Sequence, residues 1–247
     1  MIKFDEVTKV YQPKKEDSNL IVALDKVSFQ VQPQEFVILV GASGAGKSSL
    51  LKLLTCQELP TEGKVEVDNI NIRKISRKNI PKLRRKIGVI FQDFKLLPKK
   101  TVVQNIAFAL EIDGTPLSKI ERILPKIIKM VNLKGKEYSL PSELSGGEMQ
   151  RVAIARSLIY HPKILLADEP TGNLDDKNTW TVINLLLKIN KLGTTVILAT
   201  HNQAVVKKLK KRTIILEDGR IIEDKAQISK SSRKSTPTKP KLITRKD

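Results

Sequence analysis

The sequence predicts an α/β fold built around a mostly parallel sheet. Short apolar segments recur along the chain and alternate with stretches of helical periodicity, as in a sheet that helices cover on both faces. The continuous apolar run 36–40 has the pattern of a buried parallel strand, and similar runs recur at 164–167, 195–199 and 213–216. With 247 residues, 40% of them hydrophobic, the chain can bury a sizeable core.

The other strands and the helical region follow from the same periodicities. A polar loop is expected at 12–19, and helical patterns dominate from 101 to 160, which predicts a helical insertion at about 93–150. The folded domain is expected to cover residues 1–224, and residues 225–247 are expected to form a disordered basic tail, because they contain hardly any apolar residue. The additional strands are expected at 2–7, 23–31, 65–67 and 87–91.

A glycine-rich loop between strand 36–40 and the following helix matches the phosphate-binding pattern known as Walker A. Glycines let backbone N–H groups surround phosphates, and the helix N-terminus adds partial positive charge. We expect Lys47 to bridge the β- and γ-phosphates of ATP and Ser48 to offer its hydroxyl to Mg²⁺. The residues expected to contact the nucleotide here are Gly41, Ala42, Ser43, Gly44, Ala45, Gly46, Lys47, Ser48 and Ser49.

Two acids follow the apolar strand 164–167, where α/β sheets place their ligands. Asp168 is expected to hold Mg²⁺ through water, and Glu169 to act on the attacking water as general base or to orient it. His201 follows strand 195–199. A lone histidine is more often structural, but this position at a strand end favours a contact with the γ-phosphate. His161 is expected to be structural.

A second glycine-rich loop, Leu144-Ser-Gly-Gly-Glu148, carries a serine and begins a helix, but lacks the lysine of the first loop. With this stretch, residues 1 to about 224 resemble the ABC ATPase family, in which the sequence LSGGE is a variant of the signature motif. The resemblance implies a P-loop NTPase fold with a mixed sheet core, an antiparallel β subdomain and a helical subdomain. It also implies ATP and Mg²⁺ as cofactors.

The resemblance implies a head-to-tail homodimer, in which Ser145, Gly146 and Gly147 of one subunit contact the nucleotide held by the other. It further implies that Tyr11 stacks on adenine and that Gln92 senses Mg²⁺ and water. Asp175 would belong to the D-loop between the two sites. By composition alone these three are a surface or core ring, a solvated amide and a helix N-cap, and both readings stay open.

The string Phe91-Gln-Asp-Phe-Lys-Leu-Leu-Pro98 resembles the cell-division branch of the family. That branch implies an integral membrane partner and control of cell-wall hydrolases, on the cytoplasmic face of a bacterial membrane. Segment 94–103 would receive the partner, with Phe94, Leu96 and Leu97 exposed; capping of the helical insertion is the alternative. The runner-up function is the ATPase of a lipoprotein-release or macrolide or peptide exporter, since these share the string around Asp168.

The formal net charge of +19 predicts attraction to anionic surfaces, either lipid or nucleic acid. Only 4% of residues are aromatic, and the chain has neither a tandem ATPase domain nor a long coiled coil, so a nucleic-acid partner is not expected. Contact of the basic tail with the anionic inner leaflet is the alternative to a tail that is simply solvated. No apolar run approaches the roughly 20 residues that span a bilayer.

Overall fold

The computed structural model describes residues 1–12 and 20–225 of the chain. Most of the predicted polar loop, residues 13–19, and all of the predicted basic tail except Lys225 lie outside the described residues. Within the described ranges, no helix is both long and apolar enough to cross a membrane.

Ten strands form two sheets, and seven α-helices accompany them in the described part of the chain. The strands are β1 Ile2–Tyr11, β2 Ile21–Val31, β3 Phe36–Val40, β4 Glu62–Val67, β5 Ile70–Asn71, β6 Ile87–Ile90, β7 Ile164–Asp168, β8 Thr195–Thr200, β9 Arg212–Glu217 and β10 Arg220–Lys225. The helices are α1 Lys47–Leu54, α2 Ile80–Arg85, α3 Val102–Ile112, α4 Leu117–Met130, α5 Gly146–Ser157, α6 Asp176–Lys191 and α7 Gln203–Leu209.

The larger sheet has the strand order β10-β9-β3-β8-β7-β6. Its five strands from β9 to β6 run parallel, and β10 is antiparallel at the edge. The smaller sheet, in the order β2-β1-β4-β5, is antiparallel throughout. This arrangement confirms the predicted mixed core, antiparallel β subdomain and group of helices.

Alternate residues of the central strand β3 enter two different cores. Ile38 and Val40 face a core formed with α3 to α6, whereas Val37 and Leu39 face a second core formed with α1 and the antiparallel sheet. All five residues of β3 are buried. Burial of a branched side chain contributes about 1.5–3 kcal/mol, so this strand is firmly fixed, and the loop that follows it is anchored at its start.

Three elements, β5, α2 and β10, were not anticipated from the sequence. Four of the six residues of β10 are charged and lie at a sheet edge, and α2 contains a single fully buried residue, Leu83. Their stability comes from neighbours: Arg212 of β9 binds the Asp224 carboxylate of β10 through two N–H groups at 2.8 and 2.6 Å. Such contacts join residues that no local pattern connects.

Candidate active site

The phosphate loop connects β3 to α1 and turns sharply at Gly46. This residue has φ of 103°, and a Cβ there would lie 2.4 Å from the carbonyl oxygen of Ala23, so no side chain fits. Lys47 begins α1 and is only 5% exposed. Its ammonium donates to the carbonyl oxygens of Gly41 at 2.7 Å and Ala42 at 2.9 Å. The loop therefore curls around its own lysine.

Ser48 and Asp168 meet at the carboxyl edge of the parallel sheet. The Ser48 hydroxyl donates to Asp168 Oδ2 at 3.2 Å. Burial raises the pKa of the Asp168 carboxyl, and the adjacent Glu169 charge acts in the same direction, although the Ser48 hydrogen bond and Lys47 oppose them. A desolvated carboxylate next to a hydroxyl is an oxygen-ligand pair, which suits Mg²⁺ completed by phosphates and water.

Glu169 lies between a lysine and a histidine. Its Oε1 is 3.6 Å from Lys47 Nζ, and its Oε2 is 2.8 Å from Nδ1 of His201. Its φ of +47° is in the left-handed region, and its N–H donates to the carbonyl of Ala199 in β8 at 3.0 Å. Strained backbone of this kind persists where neighbouring structure holds it. His201 is 63% exposed at its side chain and faces the same space.

Gln92 follows β6 and reaches the same edge of the sheet. A Cβ built on Gly172 would lie 3.2 Å from its Nε2, so the amide rests closely against that glycine, just beyond the two acids. No group of three or more His, Cys, Asp or Glu side chains suited to hold a metal occurs within residues 1–12 and 20–225.

These residues line one cleft of about 730 Å³, a volume in the range of small-molecule sites. Of the predicted residues, Tyr11, Ala42, Ser43, Gly44, Gly46, Lys47, Ser48, Ser49, Gln92, Asp168, Glu169 and His201 line it. Gly41 and Ala45 belong to the loop but are not in its wall; a Cβ on Gly41 would lie 2.9 Å from that of Ala45.

Sequence reasoning missed one wall of the cleft, formed by Ile21, Val22 and Ala23 beside Tyr11. Ile21 and Val22 are 57% and 52% exposed, which is unusual for apolar residues. Two adjacent apolar residues at the start of an edge strand were the available signal. Lys9 Nζ lies 4.7 Å from the centre of the Tyr11 ring, and the Tyr11 hydroxyl is buried without a hydrogen bond to any described residue.

The signature residues Ser145, Gly146 and Gly147 lie outside this cleft. Ser145 caps α5 in a capping box, in which its hydroxyl donates to Glu148 Oε2 at 2.8 Å and accepts from the Glu148 N–H at 3.3 Å. The backbone N–H of Ser145, followed by its hydroxyl, lowers the pKa of Glu148. Ser145 and Glu148 therefore satisfy each other's polar groups at the start of α5.

Gly147 packs tightly against the start of α6. A Cβ at this position would lie 2.2 Å from Asn178 Oδ1. Asn178 is fixed in turn by Asp175, whose Oδ1 accepts from the Asn178 N–H at 2.7 Å and whose Oδ2 accepts from the Asn178 amide at 2.8 Å. Asp175 is thus the N-cap of α6, as composition suggested, and it also ties the segment before α6 to the signature loop.

The segment after Gln92 departs from expectation, because Phe94, Leu96 and Leu97 are half-buried rather than exposed. Leu96 packs against the larger core. Phe94 and Lys95 both have positive φ, and the Arg156 guanidinium of α5 donates to their carbonyls at 2.9 and 2.5 Å. Burial lowers the pKa of Arg156.

The fully buried Asn105 of α3 holds the other end of this segment. Its Oδ1 accepts from the Leu97 N–H at 2.8 Å, and its amide donates to the Lys100 carbonyl at 2.8 Å. Two polar anchors, the distant Arg156 and the nearby Asn105, therefore fix a stretch that has no regular secondary structure.

The sequence profile described as ABC transporter matches residues 24–172, which is more than half of the chain. The chain belongs to the ABC transporter family. Binding and hydrolysis of ATP are accordingly the chemistry of this ABC ATPase.

Relatives and solved structures agree with this assignment. The cell division ATP-binding protein FtsE of Bacillus subtilis is 47% identical over 227 residues, which cover 92% of this chain and 97% of that protein. The FtsE of Mycobacterium tuberculosis is 46% identical, covering 91% and 95%. The predicted resemblance to the cell-division branch is confirmed. The methionine import ATP-binding protein MetN of Geobacillus kaustophilus is 43% identical, over 90% of this chain and 65% of MetN.

A similar solved structure is that of the ATP-binding cassette MJ0796, a dimer in a post-hydrolysis state bound to ADP and Pi. It has a TM-score of 0.82 and 36% sequence identity, and the match covers 93% of this chain and all of that one. This likeness in structure and sequence over nearly the whole of both chains agrees with the assignment to the ABC transporter family.

Proposed function

We propose that this ABC ATPase works as FtsE does, as the ATP-hydrolysing subunit of a membrane complex in bacterial cell division, with a membrane partner that resembles FtsX. The observation that carries the proposal is the 47% identity to FtsE over nearly the full length of both chains. In this role ATP-driven closure of a dimer transmits a signal through the membrane partner to cell-wall hydrolases. The chain itself sits at the cytoplasmic face of the membrane.

In the proposed mechanism the N–H groups of residues 41–46 and the α1 N-terminus hold the phosphates of ATP. With ATP bound, Lys47 would exchange its loop carbonyls and Glu169 for the β- and γ-phosphates. Ser48 and Gln92 would hold Mg²⁺, and Asp168 would hold it through water. Bound there, Mg²⁺ would neutralise charge on the phosphates. Tyr11 and the apolar wall beside it receive the adenine.

Glu169 then takes a proton from the attacking water. The water oxygen bonds to the γ-phosphorus, the bond from that phosphorus to the bridging oxygen breaks, and ADP and phosphate form. Because Nδ1 of His201 is turned to Glu169, Nε2 is the ring atom free to contact a γ-phosphate oxygen. The signature residues Ser145, Gly146 and Gly147 act on the nucleotide of the partner subunit, since their own cleft does not include them.

The membrane partner is proposed to dock on segment 94–103. Because this segment is anchored to α5 by Arg156 and to α3 by Asn105, a partner pressing on it would move the helix that carries the signature loop. The partner contacts backbone and half-buried side chains here rather than an exposed apolar stripe.

The decisive experiment is the Glu169→Gln variant with ATP and Mg²⁺, with its mass measured in solution by light scattering. Loss of the base is expected to lower kcat by about 10²- to 10⁴-fold and to leave ATP bound, so that the dimer accumulates. Lys47→Ala is the control that does not retain the nucleotide. A monomer in every condition, including with the membrane partner present, would refute the two-subunit site.

A transport subunit is the second candidate, favoured by the 43% identity to MetN. Co-purification of the chain from its own cells distinguishes the two. Recovery of a partner that resembles FtsX would support the cell-division function. Recovery of a substrate-translocating permease would instead support a function in transport.

A further inference from the structure

The segment between β5 and β6 is strongly basic. Residues 73–86 contain no Asp or Glu and eight basic side chains, which are Arg73, Lys74, Arg77, Lys78, Lys82, Arg84, Arg85 and Lys86. The segment forms a short 3₁₀ turn at Arg77–Asn79 and then α2. It takes no part in the nucleotide cleft.

Four of these eight side chains have structural partners within the fold. Arg73 and Arg84 donate to backbone carbonyls, and Arg85 and Lys86 pair with carboxylates. The acceptors are Pro60 and Thr61 for Arg73, Thr55 and Cys56 for Arg84, Asp113 for Arg85 and Asp68 for Lys86. These contacts occupy four of the eight basic side chains, but only the two with carboxylates neutralise a charge.

The other four, Lys74, Arg77, Lys78 and Lys82, are exposed. None of them forms a salt bridge or a side-chain hydrogen bond with any residue that the structure describes. They lie within nine residues of the chain, so their charges add to a local positive potential. We call these four side chains the basic patch.

A hollow of about 550 Å³ is lined by one member of the basic patch, Arg77, and by residues that alternate with the other members along the chain. Apolar side chains form part of its wall: Leu59, which is 50% exposed, and the half-buried Ile75 and Ile80. Arg73 and Arg77 also line it. Among its described lining residues the sole carboxylate is Glu58, which Lys9 neutralises at 2.8 Å. The hollow is therefore apolar in part and positive at its rim.

We infer that the basic patch and this hollow form a contact site for anionic phospholipid at the membrane surface. A phosphate headgroup can accept hydrogen bonds from the Arg77 guanidinium and is attracted by the lysine ammonium groups near it in the chain. The exposed Leu59 can insert into the apolar region below the headgroups. A nucleic acid is disfavoured because no aromatic side chain lines the hollow to stack on a base. The site is separate in sequence from the basic tail and does not depend on the identity of the membrane partner.

The test uses the full chain with Lys74, Arg77, Lys78 and Lys82 all changed to Gln. Binding is measured by co-sedimentation with phosphatidylcholine vesicles that contain phosphatidylglycerol, and with pure phosphatidylcholine vesicles. Affinity for the anionic vesicles is expected to fall by about 100- to 1,000-fold, since each basic group near the surface contributes about fivefold. The nucleotide affinity of the variant, measured in parallel, reports that the fold and cleft are intact.

The matched control changes Lys119, Arg122, Lys126 and Lys129 of α4 to Gln. These are also three lysines and one arginine, all exposed, so the net charge changes equally. The control is expected to keep most of the vesicle binding. Equal losses in the two variants would mean that net charge alone drives binding and would overturn the site. Loss of binding to a DNA duplex, with vesicle binding retained, would overturn it in favour of nucleic acid.

Discussion

The cleft and the signature loop satisfy their polar groups in opposite ways. In the cleft, Asp168 is desolvated with a raised pKa and Glu169 has a left-handed backbone. In the signature loop, Ser145 and Glu148 satisfy each other, and Asp175 fixes the neighbouring Asn178. The cleft therefore combines a desolvated carboxylate with a strained backbone, whereas the polar groups of the signature loop are paired within the chain. The comparison fits the proposal that the signature loop of one subunit completes the cleft of another.

The largest effect should come from Asp168→Asn. Loss of the carboxylate is expected to lower ATPase activity by about 10³-fold, because the metal contributes several kcal/mol to the transition state. Without nucleotide and Mg²⁺, the same variant should melt at a higher temperature than the parent at neutral pH, since burial penalises the charged carboxylate. Activity assays and thermal melts with a chelator measure both.

The sign of the pH dependence follows from the raised pKa of Asp168. The folded protein binds this proton more tightly than the unfolded chain, so the stability of the parent falls as pH rises from the ordinary Asp range through the raised value. Below that window both states are protonated, and the advantage of Asp168→Asn should vanish. An advantage that is the same at every pH would show that the carboxylate charge is not the cause.

Gly147→Ala is expected to disturb the signature loop and to leave the cleft unchanged. The added Cβ must displace Asn178, so the signature loop shifts, and ATPase activity is expected to fall by about 100-fold through misplacement. ATP binding to the isolated chain should be unchanged, as measured by equilibrium titration. Gly114→Ala is the control for an added methyl group that meets no neighbouring atom; its φ of +68° strains an alanine there, so it also bounds the effect of backbone strain, to which Gly147 is not subject. A parallel loss of ATP binding would contradict the separation of the two regions.

A smaller effect is expected from Asp175→Ala, which removes the N-cap of α6. The free energy of unfolding should fall by about 1 kcal/mol, the usual value of such a cap. Denaturant unfolding measures it. The control is Asp176→Ala, one residue into the helix and without a capping bond. If both variants lose the same stability, the cap is not what holds this segment.

The smallest effect should come from Glu148→Gln. The lowered pKa of Glu148 means that its carboxylate stabilises the folded state above the ordinary Glu range, and that this is lost as pH falls through the lowered value. The expected loss at neutral pH is about 0.5 kcal/mol or less, because the group is partly solvated. Melting curves at neutral and acidic pH should converge at the acidic end; a difference that persists there would contradict the charge argument.

Site residues could be predicted from the amino-acid sequence where the residues that define their role are neighbours in the chain. The loop 41–48 could be found because a buried strand ends just before it and a helix begins at its end. Asp168 could be found because a buried strand ends there. The signature loop was found for the same reason, since a capping serine and glycines lie next to one another in the chain. The roles of Tyr11, Gln92 and Ser145 in binding came from the family resemblance and stay predictions.

Only the tertiary structure decided which distant residues meet. The wall formed by Ile21 to Ala23, the hold of Arg156 on Phe94 and Lys95, and the packing of Gly147 on Asn178 all join separate elements. Periodicity reports which face of an element is apolar, but not which other element covers that face. For the same reason β10 escaped prediction, because the contacts that stabilise it come from β9 rather than from its own sequence.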